Sequence, residues 1–206
     1  MFENILTDNQ LVLAEKLIPL FGERFYLTDG TAIALLIGHR RSIDFDLASL
    51  VSIDPFQIER KLLSCGFNIQ HILNATTDEF SAIIEGIGIT FFFFPFQINP
   101  ELTWERVHIK LPSILTLGAM KVYALGRRSK WKDYVDLYFI LKSKHSLDEL
   151  IVAADNIFST SFNDKLFREQ LCYFDDMDYS EGVDYIDINP SNNEIKAFLE
   201  SEALKI

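Results

Sequence analysis

The chain has 206 residues, 49% of them apolar and 24% charged, with nine glycines, six prolines and a formal net charge of -11. This composition excludes a disordered or fibrous chain, and the length suits one large domain or two small ones around a real hydrophobic core. Two widely separated cysteines, Cys65 and Cys172, offer neither a disulfide framework nor a cysteine-rich zinc site, and the acidic balance excludes a protein coated in nucleic-acid-binding surface.

Apolar residues between Asp8 and Leu20 recur at helical spacing and predict an opening helix. Glu3 and Asp8 stand where a secretory signal would need positive charge, so the reading is a cytoplasmic chain. RFYL, residues 24–27, is a short strand, Thr28-Asp29-Gly30-Thr31 a turn, and AIALLIG the helix that follows. In SIDFDLASL, residues 42–50, Ile43, Phe45 and Leu47 alternate with Ser42, Asp44 and Asp46, the period of a strand with one buried and one accessible face.

A helix over Pro55–Cys65 ends at Gly66, and strands are expected over 67–73, 80–85 and 87–95. The stretch from Ile87 to Phe96 is interrupted by Gly88, Thr90 and Pro95 and falls short of the ~20 residues a membrane helix needs. It reads as a central strand, and the four phenylalanines at 91–94 predict burial on both of its faces. Beyond Pro100 the pattern turns helical over 113–125, 132–141, 147–158 and 164–174, and Ser146 and Ser191 each precede a glutamate by three, as in a capping box. The expected organisation is a sheet-bearing domain over 1–105 and a helical domain over 106–206. Positive charge collects at His39-Arg40-Arg41 and in GRRSKWK, residues 126–132, while acid is densest in FDDMDYSEGVDYIDI, either a solvated surface or a face for a basic partner.

Side chains at i and i+2 of a strand leave the same face, so Asp44 and Asp46 can converge on one small volume. Their mutual repulsion is relieved by a divalent cation, and magnesium favours one or two carboxylates together with substrate phosphates. A solvent-exposed strand face with two ordinary acids is the alternative. The turn at Gly30-Thr31 heads a helix whose free amides could hold phosphate oxygens, and Arg40 and Arg41 supply guanidinium groups near the acids. In AMKVYALGRRSKWKDYVDLYFIL, residues 119–141, Asp133 and Asp136 share a helix face and could orient Lys121 or Arg127 across a helical hairpin, or serve only as structural ion pairs.

Two segments, FYLTDGTAIALLIGHRRSIDFD (25–46) and AMKVYALGRRSKWKDYVDLYFIL (119–141), resemble the AbiEii/AbiGii nucleotidyltransferase toxins of type IV toxin-antitoxin and abortive infection systems. The resemblance implies an α+β fold: a polymerase-β-like nucleotidyltransferase core with a mixed sheet, followed by a C-terminal helical domain that closes the nucleotide cleft. It implies that Gly30 and Thr31 grip phosphates, that Lys121 faces the nucleotide from the helical half, that Asp44 and Asp46 bind Mg2+ (or Mn2+), and that Lys121 and Asp133 complete the catalytic set, with Arg40 or Arg41 the nearby guanidinium a phosphate-rich substrate would use. The expected reaction moves a nucleotidyl group from a nucleoside triphosphate to an RNA end or a protein hydroxyl, in a toxin with an antitoxin partner. A non-catalytic nucleotide- or partner-binding module is the alternative. The chain departs from the family pattern at Asp29, where a second glycine is usual, and at Thr90, where a third carboxylate is expected.

Overall fold

The computed structural model describes residues 1–125 and 127–205; Gly126, the first residue of the basic stretch, and Ile206 lie outside the described residues. Helix α1 (Asp8–Leu17) starts at Thr7, which exchanges capping hydrogen bonds with Gln10. Strand β1 (Tyr26–Thr28) runs straight into α2 (Asp29–Ile37), and β2 (Asp44–Ser49) follows. After α3 (Pro55–Ser64) come β3 (Ile69–Ala75), β4 (Glu79–Ile84) and β5 (Ile87–Phe93). The five strands form one sheet in the order β1-β2-β5-β4-β3. The β2–β5 pair is parallel and its neighbours are antiparallel, so the sheet is mixed.

Register fixes what the site can contain. Asp46 lies beside Thr28 of β1 on one side and Thr90 of β5 on the other, and Thr90 in turn lies beside Ser81 of β4. Phe45 and Leu47 alternate with the two acids and are fully buried, so one face of β2 belongs to the core and the other to the site.

A hairpin of two short strands that the sequence pattern had not predicted, β6 (Leu102–Trp104) and β7 (Ile109–Leu111), precedes the helical half. There α4 (Ile114–Leu125), α5 (Trp131–Ser143), α6 (Leu147–Phe158), α7 (Asp164–Leu171) and α8 (Asn192–Ala203) pack together. Gly118 lets α4 and α6 approach, because a Cβ there would collide with the Leu150 side chain. The capping box at Ser146 forms with Glu149, and Ser191 caps α8 through the Glu194 amide.

The run of phenylalanines differs from its expectation. Phe91 is fully buried, but Phe92, Phe93 and Phe94 are only partly covered. For Phe92 the reason is topological: the Gly88, Thr90 and Phe92 positions share the face of β5 that borders the acids, and that face opens on a cleft between sheet and helices, while Phe93, on the face of Phe91, is the last residue of the strand. Among the described residues no helix is long and apolar enough to cross a membrane.

Candidate active site

The site is assembled where the start of α2, the outer face of β2 and the facing sides of α4 and α5 meet. Asp29 is the first residue of α2 and takes φ 55°, the left-handed backbone region that favours glycine. Gly30 next to it must lack a side chain, because a Cβ would run into the Arg40 guanidinium. Thr31 is buried, and its hydroxyl lies 2.5 Å from the Ser42 hydroxyl and donates to the Asp44 carbonyl. It therefore ties the turn to the first acid of β2.

Asp44 and Asp46 face a polar cavity of about 310 Å³ that is also lined by Asp29, Gly30, Thr31, Arg40, Lys121 and Asp133. Two more groups reach it from the sheet, Thr90 and Glu79, and four from the helical half and beyond, Arg128, Lys130, Lys132 and Glu181. Burial, with the charges of Asp29 and Asp44 added to it, pushes the Asp46 carboxyl up to about 7. Asp44 is raised as well, again by burial first, although Lys132, Arg40 and Lys130 pull against it. Both acids thus resist ionising unless a cation arrives.

The cations of the cleft are already engaged. Lys121, on α4 and 4% exposed, donates to Asp133 at 2.5 Å and to Asp29, and forms an ion pair with Asp136 at 3.2 Å. Arg128 bonds Asp133 at 2.7 Å and Asp29 at 2.9 Å. Asp136 is fully buried and also accepts two bonds from Arg40, at 2.7 and 2.9 Å, and one from His39 Nε2 at 2.8 Å. Burial alone would raise Asp136, but Arg40 and Lys121 hold it well below the usual carboxylate range. The same contest in Asp29 is won by Lys121 and Arg128, which lower it. Burial lowers His39, so its imidazole is neutral near pH 7 and its Nε2–H donates a hydrogen bond to the Asp136 carboxylate.

Carboxylate oxygens of Asp29, Asp133 and Asp136 lie within 4.8 Å of one another, a spacing that could coordinate a divalent ion. Here the Lys121 ammonium lies among them. The Asp44–Asp46 pair offers an oxygen-only donor set with, among the described residues, no lysine or arginine within ion-pair distance, which fits a hard divalent cation.

The structure brings Gly30, Thr31, Arg40, Asp44, Asp46, Lys121 and Asp133 together at one cavity. Arg41 is separate: it is exposed, pairs with Asp184 at 3.3 Å and bonds the Asn4 carbonyl. Of the adjacent arginines it is Arg128 that reaches the acids, while Arg127 turns to the Tyr123 and Ser161 carbonyls. Glu85 sits in the β4–β5 turn with φ 50° and is exposed, so the sheet acid at the cavity is Glu79. Its position two residues before Ser81 on the site-facing side of β4 was the available signal. The acidic stretch after residue 174 folds back on the chain: Glu181 pairs with Lys130 at 3.0 Å and Lys132 at 2.9 Å, and Asp184 with Arg41. No sequence signal announced that return.

A mixed sheet bearing two same-face acids beside a glycine turn, closed by a lysine-bearing helix and followed by further helices, defines a polymerase-β-like nucleotidyltransferase architecture. The model of the nucleotidyl transferase AbiEii toxin family, type IV TA system, matches residues 93–203, more than half of the chain. The chain belongs to that family. It is 28% identical over 201 residues to the uncharacterized protein aq_aa25 of Aquifex aeolicus (strain VF5), covering 94% of this chain and 93% of that one. Its fold is similar to that of JHP933 from Helicobacter pylori (TM-score 0.57, 19% identity, 98% of this chain and 90% of that one). It is also similar to MenT4, a nucleotidyltransferase toxin of Mycobacterium tuberculosis H37Rv (TM-score 0.61, 13% identity, 94% and 81%). Family membership and the clustered carboxylates together support metal-assisted nucleotidyl transfer.

Proposed function

We propose that this protein transfers a nucleoside monophosphate from a nucleoside triphosphate to a hydroxyl, on an RNA end or on a protein, and that it does so as the toxin of a toxin-antitoxin pair. The observation that carries the reading is the convergence of Asp44 and Asp46 with the Gly30-Thr31 turn and Lys121 on one cavity. In the reaction the acceptor oxygen forms a bond to the α-phosphorus and gives up its proton to solvent, the bond from that phosphorus to its bridging oxygen breaks, and diphosphate leaves.

Asp44 and Asp46 would hold Mg2+, or Mn2+ in its place, and the ion when bound would neutralise phosphate charge and acidify the acceptor hydroxyl. The chain's own part is binding and orientation. Gly30 and Thr31 lie at the start of α2, and the Arg40 guanidinium packed against Gly30 adds positive charge there for phosphate oxygens. Lys121 and Arg128 oppose the charge that accumulates on the departing diphosphate. Asp133, Asp136 and Arg40 keep Lys121 aimed into the cavity. On this reading residues 1–105 supply the metal and phosphate side of the cleft and residues 106–206 close it, with Lys130 and Lys132 available to an acceptor's phosphates.

A second reading, a nucleotide-binding module without turnover, draws support from Asp29 and Thr90, which replace the expected glycine and third carboxylate. One experiment separates the two: α-labelled triphosphates are supplied with magnesium to the wild type and to Asp44→Ala/Asp46→Ala, with cellular RNA and protein as acceptors. Label transferred by the wild type alone supports the transferase. Saturable triphosphate binding with no transferred label supports the module.

A further inference from the structure

The acidic stretch between α7 and α8 has no task in the reaction described above, yet part of it stands at the polar cavity. It is fastened at two places. The Asp178 amide donates to the Ser129 carbonyl at 2.8 Å, and the Asp178 carbonyl accepts from the Trp131 amide at 3.0 Å, at the start of α5. Further on, the Asp184 carbonyl accepts from the Arg41 amide at 2.8 Å and the Ile186 amide donates to the His39 carbonyl at 3.2 Å, ahead of β2. Residues 179–183 are therefore a strap that runs from the helical half of the cleft to the sheet half. Among the described residues Glu181, Gly182 and Val183 make no backbone hydrogen bond, and a Cβ added to Gly182 would meet nothing within 4 Å. The middle of the strap is held by one side chain. The Glu181 carboxylate lies between two ammonium groups, with one oxygen 3.0 Å from Lys130 and the other 2.9 Å from Lys132, and all three residues line the polar cavity. Lys132 foremost, with Lys130, holds that carboxyl below the ordinary glutamate value, so it is charged at neutral pH.

Two oxygens of one anion, each on its own lysine, reproduce the contacts that a phosphate would make at the same pair. Lys130 and Glu181 are partly exposed, and ion pairs in contact with water are weak, so an arriving phosphate can take the place of the carboxylate. Resting on the nucleotidyltransferase reading, we propose that Glu181 is a tethered mimic of an acceptor phosphate, which fills the seat formed by Lys130 and Lys132 until a phosphate beside the attacking hydroxyl displaces it. Donor phosphates are assigned on that reading to Lys121 and Arg128, which leaves this second pair of cations to the acceptor. The strap then works as a filter on acceptors. An RNA end brings its own phosphate and lifts the carboxylate away. A protein hydroxyl brings none and leaves the strap across the cavity. The unbonded backbone of residues 181–183 lets the strap swing aside while both fastenings stay closed.

The test titrates a short single-stranded RNA, and separately inorganic tripolyphosphate with magnesium, into the wild type, Glu181→Gln and Asp187→Asn. The same titrations are made on Lys130→Ala/Lys132→Ala with and without Glu181→Gln. Glu181→Gln should tighten RNA binding about fivefold, the size expected when two partly exposed ion pairs no longer compete. Tripolyphosphate should stay within about twofold, which also reports an intact fold. Asp187→Asn removes the same charge from an exposed position beyond the second fastening and should change neither ligand. Where both lysines are alanine, Glu181→Gln should gain nothing, because no seat is left to open. An equal gain in Asp187→Asn or on the lysine-free background would reduce the effect to diffuse charge and overturn the proposal, as would the absence of any gain. A gain for tripolyphosphate as large as that for RNA would pass the seat to the donor and overturn it too. The nucleotidyltransferase reading survives each of those results, since it rests on Asp44, Asp46 and Lys121. Failure of every form to bind either ligand would bring down both.

Discussion

Asp29 stands at the position where a substrate phosphate would meet the helical half of the cleft. Its carboxylate takes one bond from Lys121 and one from Arg128, the two cations that a triphosphate needs. It does so from a backbone conformation that suits glycine better, at a cost of about 1 kcal/mol. An incoming phosphate must displace this carboxylate, and a charge-assisted hydrogen bond contributes about 1.5–3 kcal/mol. Asp29→Gly removes the competitor and leaves Lys121 its bonds to Asp133 and Asp136 and Arg128 its bond to Asp133. Triphosphate should therefore bind about 10- to 100-fold more tightly to Asp29→Gly.

Stability should change little, by about 1 kcal/mol or less, since relief of the left-handed strain offsets the lost ion pairs, and Tm should move by roughly 2–4 °C at most. Calorimetric titration of tripolyphosphate at fixed magnesium and salt measures the gain. Asp29→Asn, which loses the charge and keeps the backbone strain, should recover part of it. Weaker binding by both folded variants would refute the competition argument and make Asp29 a group that supports the bound ion.

Asp46 supplies a pH prediction. Its folded-state value of about 7 lies above the ordinary carboxylate value near 4, so between those two pH values the folded chain holds a proton that the unfolded chain has released. Stability must fall as pH rises from about 4 to about 7, by about 4 kcal/mol at most from this residue, and Asp46→Asn should flatten the thermal unfolding profile in that range. Added magnesium should restore stability at pH 8 and do little at pH 5. Asp136→Asn should cost about 3–5 kcal/mol in a denaturant titration, because it uncouples Arg40 and Lys121 in the interior. Phe91→Ala should cost about 3–5 kcal/mol and Phe93→Ala clearly less, since only the former is fully buried. Glu181→Gln frees Lys130 and Lys132, and RNA binding should tighten with a steeper dependence on salt.

What could be read from the chain followed the range of the interaction concerned. The β2 strand with its paired acids and the apolar faces of α4 and α5 are written in short-period patterns, and each formed as expected, whereas the turn expected over Thr28–Thr31 is absent because β1 ends at Thr28 and α2 begins at Asp29. The hairpin of Leu102–Trp104 and Ile109–Leu111 escaped notice because three-residue strands are too short to display alternation. The burial of Phe91 and the exposure of its neighbours depend on what faces each side of the sheet, which a run of identical residues does not encode. Arg127 and Arg128 cannot be told apart by helical period, because α4 ends at Leu125 and they lie beyond it. Glu181 reaches Lys130 and Lys132 across about 50 residues of chain, a contact that only tertiary folding creates.

The two groups of acids in the cleft differ in charge balance more than in spacing. Asp29, Asp133 and Asp136 face Lys121, Arg128 and Arg40, three anions against three cations, and the lowered values of Asp29 and Asp136 show that their charge is welcome there. Among the described residues Asp44 and Asp46 have no such partners at contact distance, and both are raised. A divalent ion entering the trio would have to meet the Lys121 ammonium at short range, with no new anion to offset it. An ion entering at the pair would meet two reluctant carboxylates whose rise the more distant Lys132, Arg40, Lys121 and Arg128 only partly offset. The unmet electrostatic demand therefore lies on β2, and on the proposed reading the lysine-centred trio holds a positive charge ready for phosphate. This division predicts that metal affinity is lost with Asp44 and Asp46 but survives Asp133→Asn, whereas triphosphate affinity depends on both groups. Manganese titration in the absence of nucleotide reads the first half of that prediction directly.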